Sequence, residues 1–186
     1  MTGIAVMVSG AGTNCENIIR HFAQSDKARV RLVVSSRPDA PAVERARRLG
    51  VPAVAITKAQ LQDEAFVTGL LRSHAVSFIA LAGFLLLVPP FLVNSFRGRI
   101  VNIHPSLLPK FGGKGMYGIH VHQAVRDAGE EVTGITIHYV SEQCDAGDII
   151  FQARTAISDA DTVGDIAAKV HKLEMDHYPR VIESLL

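Results

Sequence analysis

Ile4-Ala5-Val6-Met7-Val8-Ser9-Gly10-Ala11-Gly12-Thr13-Asn14 is the stretch from which the fold can be read. Five uninterrupted apolar residues suit a strand covered on both faces, as in a parallel sheet. Ser9-Gly10-Ala11-Gly12 breaks the run, and the helical stretch Cys15 to Ala23 follows. Strand, glycine-rich turn and helix together open a βα unit. The same geometry can hold a phosphate. Glycines let the backbone come close, and the helix start offers unpaired N–H groups and the positive end of a dipole. Thr13 or Asn14 can cap the helix or touch a ligand. The third glycine of G-x-G-x-x-G is missing and no Gly-Lys-Ser/Thr follows, so neither the dinucleotide fingerprint nor a P-loop is present. An ordinary capped turn is the competing reading.

Outward from this unit the pattern repeats. Arg31 to Ser36 reads as a strand, Pro41 to Leu49 as a charged helix ended by Gly50, and Val51 to Ile56 as a short strand. The arginines of the charged helix (Arg45, Arg47, Arg48) read as a solvated face. Lys58 to His74 is expected to be one long helix, and Val76 to Leu81 the next strand. Pro89-Pro90 starts a short helix ending near Asn94-Ser95, and Arg99-Ile100-Val101 ends a further strand. Alternating strands and helices predict an α/β, three-layer, doubly wound and mostly parallel sheet. The pattern then changes. After a helix over His120 to Ala128, Thr133 to Val140 and Asp148 to Arg154 are two strands in direct succession. They predict antiparallel pairing towards the C-terminal end. Thr162 to Leu186 is helical, with His171, Glu174 and His177 on one side.

Composition narrows the function classes. The chain has 186 residues, 48% of them hydrophobic, enough for the core of one domain spanning 1–186. A net charge of +1 supplies no basic field for nucleic acid. Two distant cysteines, Cys15 and Cys144, make no disulfide framework and fit a reducing compartment. The apolar run Phe78 to Val88 is too short to span a bilayer, and the first residues do not read as a signal peptide. A cytoplasmic, soluble protein is expected.

The chemistry is expected at Asn102-Ile103-His104-Pro105-Ser106-Leu107-Leu108-Pro109-Lys110, read as a rigid loop leaving a strand end. Asn102 and His104 alternate in an extended segment, so both can point the same way. An amide can hydrogen-bond a carbonyl oxygen that becomes an oxyanion, and an imidazole can exchange a proton near neutrality. Asp145, in the acidic loop Ser141 to Gly147, is the candidate carboxylate that would favour the protonated imidazole. The plainer alternative makes Asn102 and Asp145 turn residues that satisfy backbone groups. The eight histidines, His120 and His122 among them, show no His-Glu-x-x-His, and no Cys-x-x-Cys accompanies them, so no metal site is expected.

Four blocks carry a resemblance over essentially the whole chain: Val8 to Asn14, Leu81-Ala82-Gly83-Phe84, Asn102 to Lys110, and the Asp145 loop with its flanking strands. They resemble the folate-dependent formyltransferase family, and the first block points to its glycinamide ribonucleotide branch. The resemblance implies 10-formyltetrahydrofolate as donor and co-substrate, the amine of glycinamide ribonucleotide as acceptor, and a place in purine synthesis. It implies that Asn102 and protonated His104 stabilise a tetrahedral oxyanion while Asp145, with ordered water, relays a proton. Gly12, Thr13 and Asn14 match phosphate-binding positions, and His171 and Glu174 match an acceptor-binding segment. Leu85, Leu86, Leu87 and Val88, with Asn102, Ser141 and Asp145, would enclose the folate. No metal, nucleic acid or membrane partner is implied, and the protein is expected to be a monomer or homodimer. A cis Leu108–Pro109 bond is also suggested. Two positions depart from the family. Leu86 stands where an arginine is common, and Phe111 to Gly118 is a longer, glycine-rich link with Lys114 in it. A formyltetrahydrofolate hydrolase and a non-catalytic nucleotide- or folate-binding module are the competing readings.

Overall fold

The computed structural model describes residues 1–186. In chain order the elements are β1 (Thr2–Val8), α1 (Thr13–Phe22), β2 (Ala28–Ser35), α2 (Pro41–Arg48), β3 (Ala53–Ala55), α3 (Lys58–Gln62) and α4 (Glu64–Ser73). They continue with β4 (Phe78–Leu81), α5 (Pro90–Ser95), β5 (Ile100–His104), α6 (Ile119–Asp127), β6 (Val132–Tyr139), β7 (Ile149–Ala156) and α7 (Val163–Ser184). The seven strands form one sheet in the order β3-β2-β1-β4-β5-β6-β7. Pairings from β3 to β5 are parallel, and β5–β6 and β6–β7 are antiparallel. The predicted fold class is therefore the observed one.

Side-chain alternation along the strands builds two cores. Ile4, Val6 and Val8 face the larger one with α1, α6 and α7, while Ala5 and Met7 face the smaller one with α3, α4 and α5. A central strand buried on both faces has no polar position to spare, which explains the unbroken apolar run in β1. The long helix α7 crosses the first face. Its buried Tyr178 donates a hydrogen bond to Leu81 O at 2.7 Å, with Val101 O at 3.3 Å. That phenol fastens α7 to Leu81 at the end of β4 and to Val101 in β5.

Two expectations need correction. The helix expected over Lys58 to His74 is two helices. Asp63 takes an extended conformation between them, and its carboxylate caps α4 by accepting from Phe66 N–H. An Asp that can cap a new helix competes with helix continuation at that position. The rigid loop also begins later than expected. Asn102 and His104 belong to β5 itself, and the loop proper starts at Pro105. Smaller shifts put the start of β2 at Ala28 and confine β3 to Ala53–Ala55.

Candidate active site

The glycine turn after β1 has the geometry of an anion site. Gly12 sits in the left-handed region at φ 78° as the residue before α1, and no side chain caps the helix. The N–H groups of its first turn are therefore not taken by a cap. A Cβ on Gly12 would come within 2.5 Å of Ala42 Cβ and 2.7 Å of Ala42 Cα, so close packing of α2 also requires glycine. Gly12→Ala should therefore push α1 and α2 apart. The left-handed conformation alone costs about 1–2 kcal/mol for an L-residue, and a melting temperature lower by at least about 3 °C is expected, measured by thermal denaturation. α2 is tied to the same helix from the other side. Arg45 bonds Glu16 at 2.5 Å, so this arginine is an interhelix ion pair and not simply part of a solvated face.

Asn14 does not offer its amide N–H to the turn. It donates to Glu174 Oε2 at 2.9 Å, linking the start of α1 to α7. His171 Nδ1 lies 3.2 Å from the same carboxylate oxygen, and this hydrogen bond raises the His171 pKa above its ordinary value despite partial desolvation. Ser9, at the end of β1, anchors the next segment. Its hydroxyl accepts from Leu85 N–H at 2.9 Å and lies 2.5 Å from Ser36 Oγ. Leu85 and Leu87 are exposed beyond that anchor, while Leu86 packs against the smaller core.

At the end of β5, antiparallel pairing with β6 puts His138 directly opposite Asn102 and Thr136 opposite His104. His138 is 2% exposed, and its Nδ1 lies 2.8 Å from Tyr139 O. A carbonyl only accepts, so Nδ1 carries the proton and Nε2 is left to accept from Asn102 Nδ2 at 3.1 Å. The second Asn102 N–H has only a 3.5 Å contact with Asp145 Oδ1 and remains available to a ligand oxygen. His104, 4% exposed, places Nε2 2.7 Å from Phe111 O and Nδ1 3.5 Å from Asp145 Oδ2. Both ring nitrogens face acceptors, an arrangement that suits the doubly protonated ring. Asp145 in turn accepts the Gly113 N–H at 2.9 Å, and its Oδ1 lies 3.6 Å from His138 Nε2. Desolvation would raise the Asp145 pKa. The His104 imidazole and the Gly113 N–H outweigh it, so the carboxyl titrates below its ordinary value.

The loop after β5 is held by side chains of the antiparallel strands as well as by its prolines. Thr136 Oγ1 donates to Ser106 O and accepts from Leu108 N–H, and Gln152 Nε2 donates to Leu108 O at 3.0 Å. The Leu108–Pro109 bond is cis. One cleft of about 1120 Å³ is lined by every residue proposed from sequence: Gly12, Thr13 and Asn14, His171 and Glu174, Leu85 to Val88, Ser141, and Asn102, His104 and Asp145.

Residues 2–182 match the Formyl transferase family. The chain belongs to that family. The chain is similar to the Bacillus subtilis phosphoribosylglycinamide formyltransferase, with 40% identity over all of this chain and 95% of the relative. It is also 39% identical to the chloroplastic enzyme of that name from Arabidopsis thaliana, over 98% of this chain. It spans 64% of that longer plant relative. Among solved structures, the glycinamide ribonucleotide transformylase 1 of Geobacillus kaustophilus superposes with a TM-score of 0.90 at 36% identity, covering 100% of this chain and 99% of that one.

Within this formyl transferase cleft, three participants have no counterpart in the sequence reading. His138 was visible only as one scattered histidine, although its place in an alternating strand carried the signal that it shares a face with Thr136. The carbonyl of Phe111 and the N–H of Gly113 are backbone groups that no residue type announces. They show that the start of the glycine-rich segment lies against His104 and Asp145. No helix is long and apolar enough to cross a membrane.

Proposed function

We propose that this chain transfers the formyl group of 10-formyltetrahydrofolate to the amine of glycinamide ribonucleotide, with Asn102, His104 and Asp145 as its catalytic residues. One observation carries the reading: an Asn102 N–H held only by a long bond to Asp145, a His104 ring between two acceptors and the Asp145 carboxylate meet in a cleft that a phosphate-type turn also lines. The phosphate belongs on the N–H groups of α1, with Glu174 accepting from ribosyl hydroxyls and His171 adding positive charge. The folate enters between the Leu85 to Val88 segment and the Ser141 to Asp145 loop.

The amine attacks the formyl carbon and the carbonyl oxygen becomes an oxyanion. Asn102 and His104 donate to it, His104 through Nδ1, because Phe111 O holds Nε2. Asp145 then accepts a proton from the attacking amine, directly or through a water, and passes it to the leaving folate nitrogen. His138 holds the Asn102 amide so that a free N–H points at the substrate. Coupled purine synthesis in a reducing, cytoplasm-like compartment fits the two free cysteines.

The deciding experiment follows deformylation of the donor spectroscopically with and without glycinamide ribonucleotide. Release that depends on the acceptor, with formylated ribonucleotide as product, is the expected result. Release at the same rate without acceptor would make the chain a hydrolase.

A further inference from the structure

Only three buried side-chain polar atoms in the protein lack a hydrogen-bond partner: Asn14 Oδ1, His122 Nδ1 and Thr133 Oγ1. Two of the three belong to residues that line the cleft. Buried polar groups are nearly always satisfied, so a ring that lines a binding cleft and leaves one nitrogen unpartnered is not held there by its own hydrogen bonds. His122 is the more informative one. It projects from the buried face of α6, with Val121 and Val125, and is 6% exposed. It lies within electrostatic reach of both Glu174 and His104, that is, of the acceptor-binding carboxylate and the reacting centre.

The ring's chemistry follows from its surroundings. Desolvation lowers the His122 pKa, which keeps the ring uncharged near neutrality. A neutral imidazole carries one proton. An orphaned N–H is rarer than an orphaned acceptor, so the sealed Nδ1 is the bare nitrogen and the proton sits on Nε2. His122 thus gives the cleft a single uncharged donor. If the acceptor is glycinamide ribonucleotide, the part of it that joins the ribosyl hydroxyls at Glu174 to the amine at His104 is a secondary amide, whose carbonyl needs one uncharged donor.

We infer that His122 is a binding residue for the acceptor substrate, donating from Nε2 to the carbonyl oxygen of its glycinamide arm. This rests on the proposed formyl transfer. The assignment separates two histidines that share one motif: His120, two residues earlier, is exposed and packs edge-on against Tyr117.

The test compares wild-type enzyme with His122→Leu and His122→Gln in steady-state transfer and in direct titration. His122→Leu should raise the KM for glycinamide ribonucleotide by about tenfold, the effect of one lost hydrogen bond, and leave the KM for 10-formyltetrahydrofolate unchanged. Its melting temperature should be equal to or above wild type, since an apolar replacement removes an unpaired buried nitrogen. His122→Gln, which keeps a donor, should recover most of the acceptor affinity. Ribose 5-phosphate lacks the glycinamide arm and should bind wild type and His122→Leu equally. An unchanged acceptor KM in His122→Leu overturns the assignment, as does an equal loss of ribose 5-phosphate binding. Failure of the wild-type enzyme to formylate glycinamide ribonucleotide would instead strike the proposed function itself.

Discussion

Replacing His104 by alanine should lower kcat for formyl transfer by about a thousandfold, the combined weight of one oxyanion donor and one proton-transfer group. The geometry leaves no substitute. His104 is the buried imidazole beside Asp145 Oδ2 on the same strand end as Asn102, and His138 has its Nδ1 committed to Tyr139 O. The KM for the acceptor should change little, because His104 belongs to the reacting centre and not to the phosphate turn. The fold should survive. His104 closes β5 at the sheet's C-terminal edge, and the loop beyond it is held independently by Thr136, Gln152 and Ser106. Some destabilisation is expected, because the Phe111 carbonyl loses its 2.7 Å partner and keeps only a 3.4 Å contact with Ser106 Oγ. Circular dichroism with single-turnover kinetics separates the two effects. Wild-type rates in a folded His104→Ala enzyme would remove this residue from the mechanism.

The parts of this architecture that depend on side-chain periodicity could be read from the chain. β1 is legible because a strand buried on both faces must be apolar throughout, and the switch to antiparallel pairing is legible because β6 and β7 follow one another with only a loop between. The break at Asp63 was hidden because the same residue is compatible with a helix surface and with a cap, and only packing decides between them. In the cleft, Asn102, His104 and Asp145 stand out by residue type and neighbouring prolines and glycines. The orienting role of His138 depends on the register of two strands, which places it opposite Asn102. His120 and His122 were two among eight histidines in the sequence, and α6 separates them by burying the His122 ring and exposing His120. Phe111 and Gly113 act through backbone atoms and carry no signature at all.

Asp145→Asn is the sharper test, because it changes charge with almost no change in shape. Asp145 takes a left-handed conformation at φ 53°, which asparagine also tolerates, so the backbone should be kept. The carboxylate faces Gly113 N–H and the His104 ring with Oδ2 and the Asn102 amide with Oδ1. An asparagine has one acceptor and one donor. If its oxygen keeps the Oδ2 position facing Gly113 N–H and His104 Nδ1, its NH₂ takes the Oδ1 position against the Asn102 amide, donor against donor. The variant also has no site for the proton that the amine must lose. A fall in kcat of about 10³ to 10⁴ is expected, with acceptor binding close to wild type. Stability supplies a second readout whose sign is fixed. The carboxyl's pKa is lowered on folding from its ordinary 3.8, so its ionised form stabilises the wild type at all pH values above that. The contribution disappears as the pH drops through the lower folded value. The difference in melting temperature between wild type and Asp145→Asn should therefore be constant from neutrality down to about pH 4 and shrink below it. A gap that instead widened on acidification would mean that burial, and not the His104 imidazole and the Gly113 N–H, governs this carboxylate.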